Sequence, residues 1–222
     1  IEDDYLPRSN FGLSSINIDR TRLSKCRWNN MHLHSDFYRV AVREMINLTS
    51  ERSFIPSVIP PKINHINTIR SVAFTNERDL LNFQTLSSSI VLDGLYKMSG
   101  RDHFKDSDAQ KIPWVEMGDT AIFRSLQLNC LTSHYRELWD RNSRRLRPLP
   151  WSQVHLFQDA IELNSDKSWT RASSIRAEFG RRLALVEIDV LVAQSLGLSL
   201  NQLIEVYEVY FPVLQKKEKN TF

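Results

Sequence analysis

The chain has 222 residues, 41% hydrophobic and 25% charged, a balance that suits a folded globular protein and excludes a disordered one. Its net charge of +3 is too small to name a nucleic-acid partner by itself, and 6 glycines are few for the phosphate-cradling loops of nucleotide-binding proteins. No apolar run approaches the roughly 18 residues a membrane span needs, and no signal peptide is visible. Cys26 and Cys130 stand far apart without a CxxC pair, the usage expected of free thiols in a reducing, cytoplasmic setting rather than of a disulfide or zinc scaffold. The chain opens Ile1-Glu2-Asp3-Asp4 without a methionine and reads as a piece of a longer polypeptide.

Charge is unevenly placed. From Arg20 to Arg70 nine basic residues (Arg20, Arg22, Lys25, Arg27, Arg39, Arg43, Arg52, Lys62 and Arg70) face three acids (Asp36, Glu44 and Glu51). A second basic run comprises Arg141, Arg144, Arg145 and Arg147. Local basic stretches in a nearly neutral chain suit a phosphate-tracking surface.

In chain order, residues 37–43 alternate as a strand, with Phe37, Arg39, Ala41 and Arg43 on one face and Tyr38, Val40 and Val42 on the other. Residues 54–59 form a second extended run, which Pro56 confines to an edge or bulge and Pro60-Pro61 stops. Residues 67–74 make a third strand. From Asn76 the spacing of Leu80, Leu81, Phe83, Leu86, Ile90 and Leu95 predicts one helix ending at Gly100, a natural left-handed C-cap. A polar loop to Ile112-Pro113 follows. From Asp119 onward the pattern is helical: 120–139, then 172–196 with an apolar stripe of Ile175, Phe179, Leu183, Val186 and Val190, then a helix opened by a Ser199/Gln202 capping box just past Gly197. The expected architecture is α+β: a small mixed or antiparallel sheet with helices over 1–112, and an all-α part over 113–222.

Several chemistries find no support. There is no P-loop and no glycine-rich AdoMet or dinucleotide turn. Pro60-Pro61 is flanked by Ile59 and Lys62, so neither the amide or acid nor the aromatic of an amino-methyltransferase loop is present. His32-x-His34 lacks a third ligand in recognisable spacing. Asp106 and Asp108, the pair a magnesium-dependent nuclease would need, lie in a polar loop that reads as a solvated turn. Ser87-Ser88-Ser89 has no orienting histidine and is expected to bond locally or to phosphate.

Four stretches, 37–62, 82–114, 126–140 and 181–214, together resemble the C-terminal target-recognition region of large class I adenine-N6 DNA methyltransferases. That family serves single-chain restriction–modification enzymes and phage-defence systems of the BREX and DISARM kinds. The match rests on the order of an arginine-bearing strand (Arg39, Arg43), the run from Arg52 to Pro61, Leu86-Ser87-Ser88, and Ile112-Pro113; Ser88 stands where an Asn is expected. The resemblance implies that the AdoMet site and catalytic loop belong to an N-terminal methylase part, that S-adenosylmethionine is a cofactor of the parent enzyme only, and that this chain is not catalytic by itself. Double-stranded DNA, the methylase part and other defence-system subunits are the implied partners. Which residues read bases is not fixed by the family pattern.

Base readout needs forked or mixed donor–acceptor side chains, such as Arg on guanine and Asn or Gln on adenine. Lys62, Asn64, His65, Asn67 and Arg70 fall in one connection, and Ser99, Arg101, His103 and Lys105 in another. Of these, Lys62, Asn64, His65, Arg70, Arg101, His103 and Lys105 form, with Arg39, Arg43 and Arg52, the expected DNA-binding set. A protein-interaction scaffold is the alternative, carried by the 172–196 helix and the exposed-looking Tyr207, Tyr210 and Phe211.

Overall fold

A computed structural model describes residues 2–6, 24–152 and 168–221. Arg20 and Arg22 of the first basic stretch, and the part of the expected helical region over 153–167, lie outside them. The three expected strands pair as one antiparallel sheet. Strand β3 (Arg39–Arg43) is central, between β4 (Ser57–Ile59) and β5 (Ile69–Ala73), with Val40 opposite both Val58 and Val72. Val40, Val42 and Val58 are buried on the face that packs on the helices, as the alternation requires. Pro56 precedes β4 and keeps it a short edge strand. A second antiparallel pair, β1 (Lys25–Cys26) and β2 (Asn29–Leu33), has no counterpart in the expected strands. Both cysteines are buried free thiols.

The single helix expected over 76–100 is two, α1 (Glu77–Ser87) and α2 (Ile90–Ser99). Ser88 and Ser89 make the break. Ser88 Oγ donates to Gln84 O at 2.8 Å and Ser89 Oγ to Leu86 O at 2.8 Å, while Ser89 Oγ accepts from Leu92 N–H at 3.3 Å and so caps α2. Hydroxyls that satisfy helix ends compete with helix continuation; Ser88 and Ser89 bond locally as expected, whereas the buried Ser87 Oγ has no hydrogen-bond partner. Gly100 takes φ +64° at the end of α2. A single turn, α3 (Asp106–Ala109), lies in the expected polar loop.

The helix expected over 120–139 is likewise two, α4 (Asp119–Asn129) and α5 (Arg136–Ser143). They part at Cys130, whose freed carbonyl accepts the Trp169 indole N–H at 2.8 Å. Then come α6 (Glu178–Ser195), α7 (Leu200–Tyr210) and α8 (Pro212–Glu218). Ser199 and Gln202 form the capping box, with Ser199 N–H donating to Gln202 Oε1 at 2.8 Å, and Gly197 takes φ +76°.

One cluster of buried side chains runs from Tyr38 to Leu214. Helix α1 packs on α4, α5 and α6, and α2 packs on α7, so core contacts cross residue 112. The inward face of α6 is Ala184, Ile188 and Val192, four apart; Ile175 is buried just ahead of the helix, whereas Val186 of the expected stripe is exposed. The terminal aromatics are corrected too. Phe211 is buried, and Tyr207 and Tyr210 are half-buried, the Tyr207 hydroxyl donating to Glu218. The exposed apolar side chains on α7 and α8 are instead Leu200, Ile204, Val209 and Val213. Among the described residues no helix is long and apolar enough to cross a membrane.

Candidate nucleic-acid interface

The two expected reading connections meet at the C-terminal end of β3. Glu44 N–H donates to Thr68 O at 2.8 Å, Phe104 N–H to Glu44 O at 2.7 Å, and Ile46 N–H to Asp102 O at 2.7 Å. Met45 and His103 thereby form an isolated antiparallel bridge that extends β3 past its own partners. Backbone pairing brings Thr68 and residues 102–104 together at this end, whereas Lys62, past the end of β4, lies beside Ser35 at the other end of β3.

On this framework Arg43, Lys62, Asn64 and Lys105 are exposed. Among the described residues no carboxylate lies within salt-bridge distance of Arg43, Lys62 or Lys105. Lys62 follows Pro60-Pro61 at φ +67°, a sparsely populated conformation for a residue with a side chain, and its N–H donates to Ser35 O at 2.5 Å. The 63–68 connection crosses the outer face of the sheet and encloses with it a groove of about 440 Å³, lined among others by Ala41, Arg43, Ser57, Ile59, Asn64 and Ile69. His65 is oriented by Ser71 Oγ, 2.7 Å from its Nε2, and by Ile66 O, 3.1 Å from its Nδ1.

The remaining expected residues are engaged internally. Arg39 is 3% exposed, donating from Nη1 to Ser71 Oγ at 3.1 Å and from Nη2 to Ile63 O; burial pushes its pKa down. The alternation that put Arg39 on the outer face was right, but the 63–68 connection covers it. Arg52 donates from Nη2 to Asp189 Oδ2 at 2.7 Å and from Nη1 to Ser88 O at 2.9 Å. Burial works against the Arg52 charge and Asp189 more than restores it, so its pKa rises. Both guanidinium groups hold the fold together and face no open surface for a duplex.

Arg70, Arg101 and His103 reach the interface but are paired. Arg70 Nη2 lies 2.9 Å from Glu44 Oε1, Arg101 binds Asp108, and His103 Nδ1 lies 2.8 Å from Asp102 Oδ1, a bond that lowers the Asp102 pKa. Asp108 is buried rather than in a solvated turn, and also accepts Lys105 N–H at 3.0 Å. It organises the loop that presents Lys105. Among the described residues no cluster of three or more metal-ligating side chains occurs, and His32 has Asp36 at 3.8 Å as its acidic neighbour.

The second basic run is on another part of the surface. Arg141 pairs with Glu77 at 3.0 Å and Glu137 at 3.3 Å, and Asn142 Nδ2 donates to Glu77 Oε2 at 2.8 Å. This ties the run to the start of α1, which follows the far end of β5 from Arg43.

Sequence reasoning missed two acids that organise this half of the molecule. Asp93 Oδ2 and Oδ1 accept Ser53 N–H at 2.8 Å and Phe54 N–H at 3.1 Å, and burial pushes the carboxyl up to about 6. Asp189 accepts Ile90 N–H at 2.8 Å besides holding Arg52. Asp93 is a lone acid inside an apolar helical run, Ile90-Val91-Leu92-Asp93, and Asp189 sits between Ile188 and Val190, two residues after Glu187. Burying a charge demands partners, so that pattern was the available signal.

Comparison with protein-family models, with curated proteins and with solved structures returned no match.

Proposed function

We propose that the chain is a DNA-reading, non-catalytic specificity region of a larger adenine-N6 DNA methyltransferase acting in the bacterial cytoplasm, in restriction or phage defence. The observation that carries the DNA-reading part is the pairing of Thr68 and of residues 102–104 with the C-terminal end of β3, which sets Arg43 and Lys105 in exposed positions near Asn64, while Lys62 is exposed at the other end of β3 beside Ser35; among the described residues none of the three cations has a carboxylate partner. Exposed cations that no acid neutralises are free to displace counterions from phosphates, and the neighbouring amide and imidazole supply mixed donors and acceptors for base edges. The methyltransferase assignment rests on the resemblance of the four sequence stretches. AdoMet binding and methyl transfer then belong to the N-terminal methylase part of the parent enzyme.

Fluorescence anisotropy with a labelled duplex at two salt concentrations tests the reading. Binding that weakens as salt rises supports it, with each phosphate contact adding about 0.9 to the slope of log K against log salt; absent or salt-independent binding overturns it. A protein-docking scaffold is a second reading, favoured by the exposed Leu200, Ile204, Val209 and Val213 on α7 and α8. Gel filtration with the methylase part, with these positions changed to serine, separates the two.

A further inference from the structure

At the end of β3 away from Arg43, the β1–β2 hairpin and the 34–37 segment bring four aromatic rings together. Trp28, in the turn of the hairpin, is stacked on His34, with ring centroids 6.4 Å apart and planes at 19°. Phe37 meets Trp28 edge-on at 5.9 Å, and His32 meets Phe37 edge-on at 5.7 Å. Phe37 is extended and continues β3 outward on the face that carries Arg39 and Arg43, since Tyr38 and Val40 are buried on the other. The hairpin is tied down here, His34 N–H donating to Ser24 O at 2.9 Å.

These rings are not all core. Trp28 remains 42% exposed, a large apolar surface left in water. Its neighbours brace it. Burial, then the charges of Arg39 and Arg27, push the His34 pKa down, so the imidazole stacks as a neutral ring. A ring already held by a stacked partner and an edge contact loses little further freedom when a flat ligand settles on it.

The charge around the rings is one-sided. Lys25 and Arg27 are exposed on the hairpin, and the exposed Lys62 donates its N–H to Ser35 O at 2.5 Å, two residues from Phe37. Among the described residues no carboxylate lies within salt-bridge distance of any of the three. Asp36, the acid of this segment, accepts Leu33 N–H at 2.8 Å and lies 3.8 Å from His32. An apolar protein partner would desolvate these cations without compensation, whereas aromatic rings among unpaired cations suit bases and phosphates. A base inside a duplex hides its faces in the stack and shows only its edges. A ring face therefore calls for a base that is out of the stack.

We propose that Trp28 is a stacking platform for one unpaired DNA base, with Arg27 and Lys62 on the flanking phosphates. The platform rests on the DNA reading and extends it from paired DNA to duplexes carrying an unpaired base. Phe37 and Arg43 are six residues apart on the same strand run, about 20 Å at the rise of a strand and so about six base steps of a duplex. One DNA segment can then touch both ends of β3.

Fluorescence anisotropy of the full chain with a labelled, fully paired duplex and with the same duplex carrying one central unpaired thymine tests this. The bulged duplex should bind at least about fivefold tighter, and Trp28→Ala should erase that preference. Trp28→Phe keeps a ring face and should keep a preference for the bulge, which separates a lost ring from a lost hairpin. Arg27→Gln should lower the salt slope on the bulged duplex by up to about 1. Equal affinity for the two duplexes, with both bound, overturns the platform alone and leaves Trp28 to a protein partner. A preference unchanged in Trp28→Ala overturns it too. Binding of neither duplex overturns the DNA reading and the platform with it.

Discussion

Arg43 and Arg52 lie close together in the chain and look alike in the sequence, but the fold treats them differently. Arg43 stands exposed at the end of β3 with no carboxylate in reach among the described residues, while Arg52 is locked between the sheet side of the molecule and α6 by Asp189 and by Ser88 O. Basic composition therefore divides into cations available to a partner and cations spent on tertiary structure. The division follows whether a lone acid from a distant helix arrives at the guanidinium. Asp189 is 137 residues away in sequence from Arg52, and Glu187, on the same helix, does the same for Arg124, whose guanidinium carbon also sits 3.5 Å from the Trp151 ring centroid.

The sharpest break of this comparison is Asp189→Ala. It strands the Arg52 charge in the interior and removes the acceptor of Ile90 N–H, so urea unfolding should show a loss of about 3–5 kcal/mol. Arg43→Ala should stay within about 0.5 kcal/mol of the parent chain. A loss below about 1 kcal/mol for Asp189→Ala would mean that the pair is not a buried one.

Asp93 gives the next largest effect, and its sign is opposite to that of a surface ion pair. Its carboxyl is pushed from 3.8 up to about 6 in the folded chain, so between these values the folded state keeps a proton that the unfolded state has released. The contribution is fully present below about pH 4 and is lost as pH rises through about 6, a decline on the order of 3 kcal/mol. Denaturant midpoints across that window should show the slope, and Asp93→Asn should flatten it while leaving one of the Ser53 and Phe54 N–H groups without an acceptor. A slope unchanged in Asp93→Asn would assign it to another group.

The smallest effect is expected at Arg70 and Glu44, a pair at the rim of the interface. Arg70→Ala should cost about 0.2–1 kcal/mol, measured by the same unfolding assay, because solvent screens a half-exposed pair. A larger cost would place Arg70 with Arg52, among the cations that hold the fold.

Much of this architecture is legible in the sequence where the signal is local. The alternation over 37–43, the Ser199/Gln202 capping box and the left-handed Gly100 and Gly197 all appear where the pattern puts them. The breaks at Ser88-Ser89 and at Cys130 were not legible, because Leu86 and Ile90 keep helical spacing across the first and no glycine or proline marks either. Side-chain hydroxyls capping helix ends make the one interruption, and Trp169, from far along the chain, receives the carbonyl freed at the other. The candidate site was half legible. Residue types and the two connections could be named, but Arg39, Arg52 and Arg101 could not be sorted from Arg43, Lys62 and Lys105 before Ile63 O, Asp189 and Asp108 were located.

The most direct test of the central claim is the salt dependence of duplex binding by the triple variant Arg43→Gln, Lys62→Gln and Lys105→Gln, compared with the unchanged chain. Loss of three phosphate-facing cations should lower the slope of log K against log salt by up to about 3 and weaken binding, with unfolding curves superimposed on those of the parent. An unchanged slope and affinity would contradict the account and move the DNA surface, if any, elsewhere on the molecule.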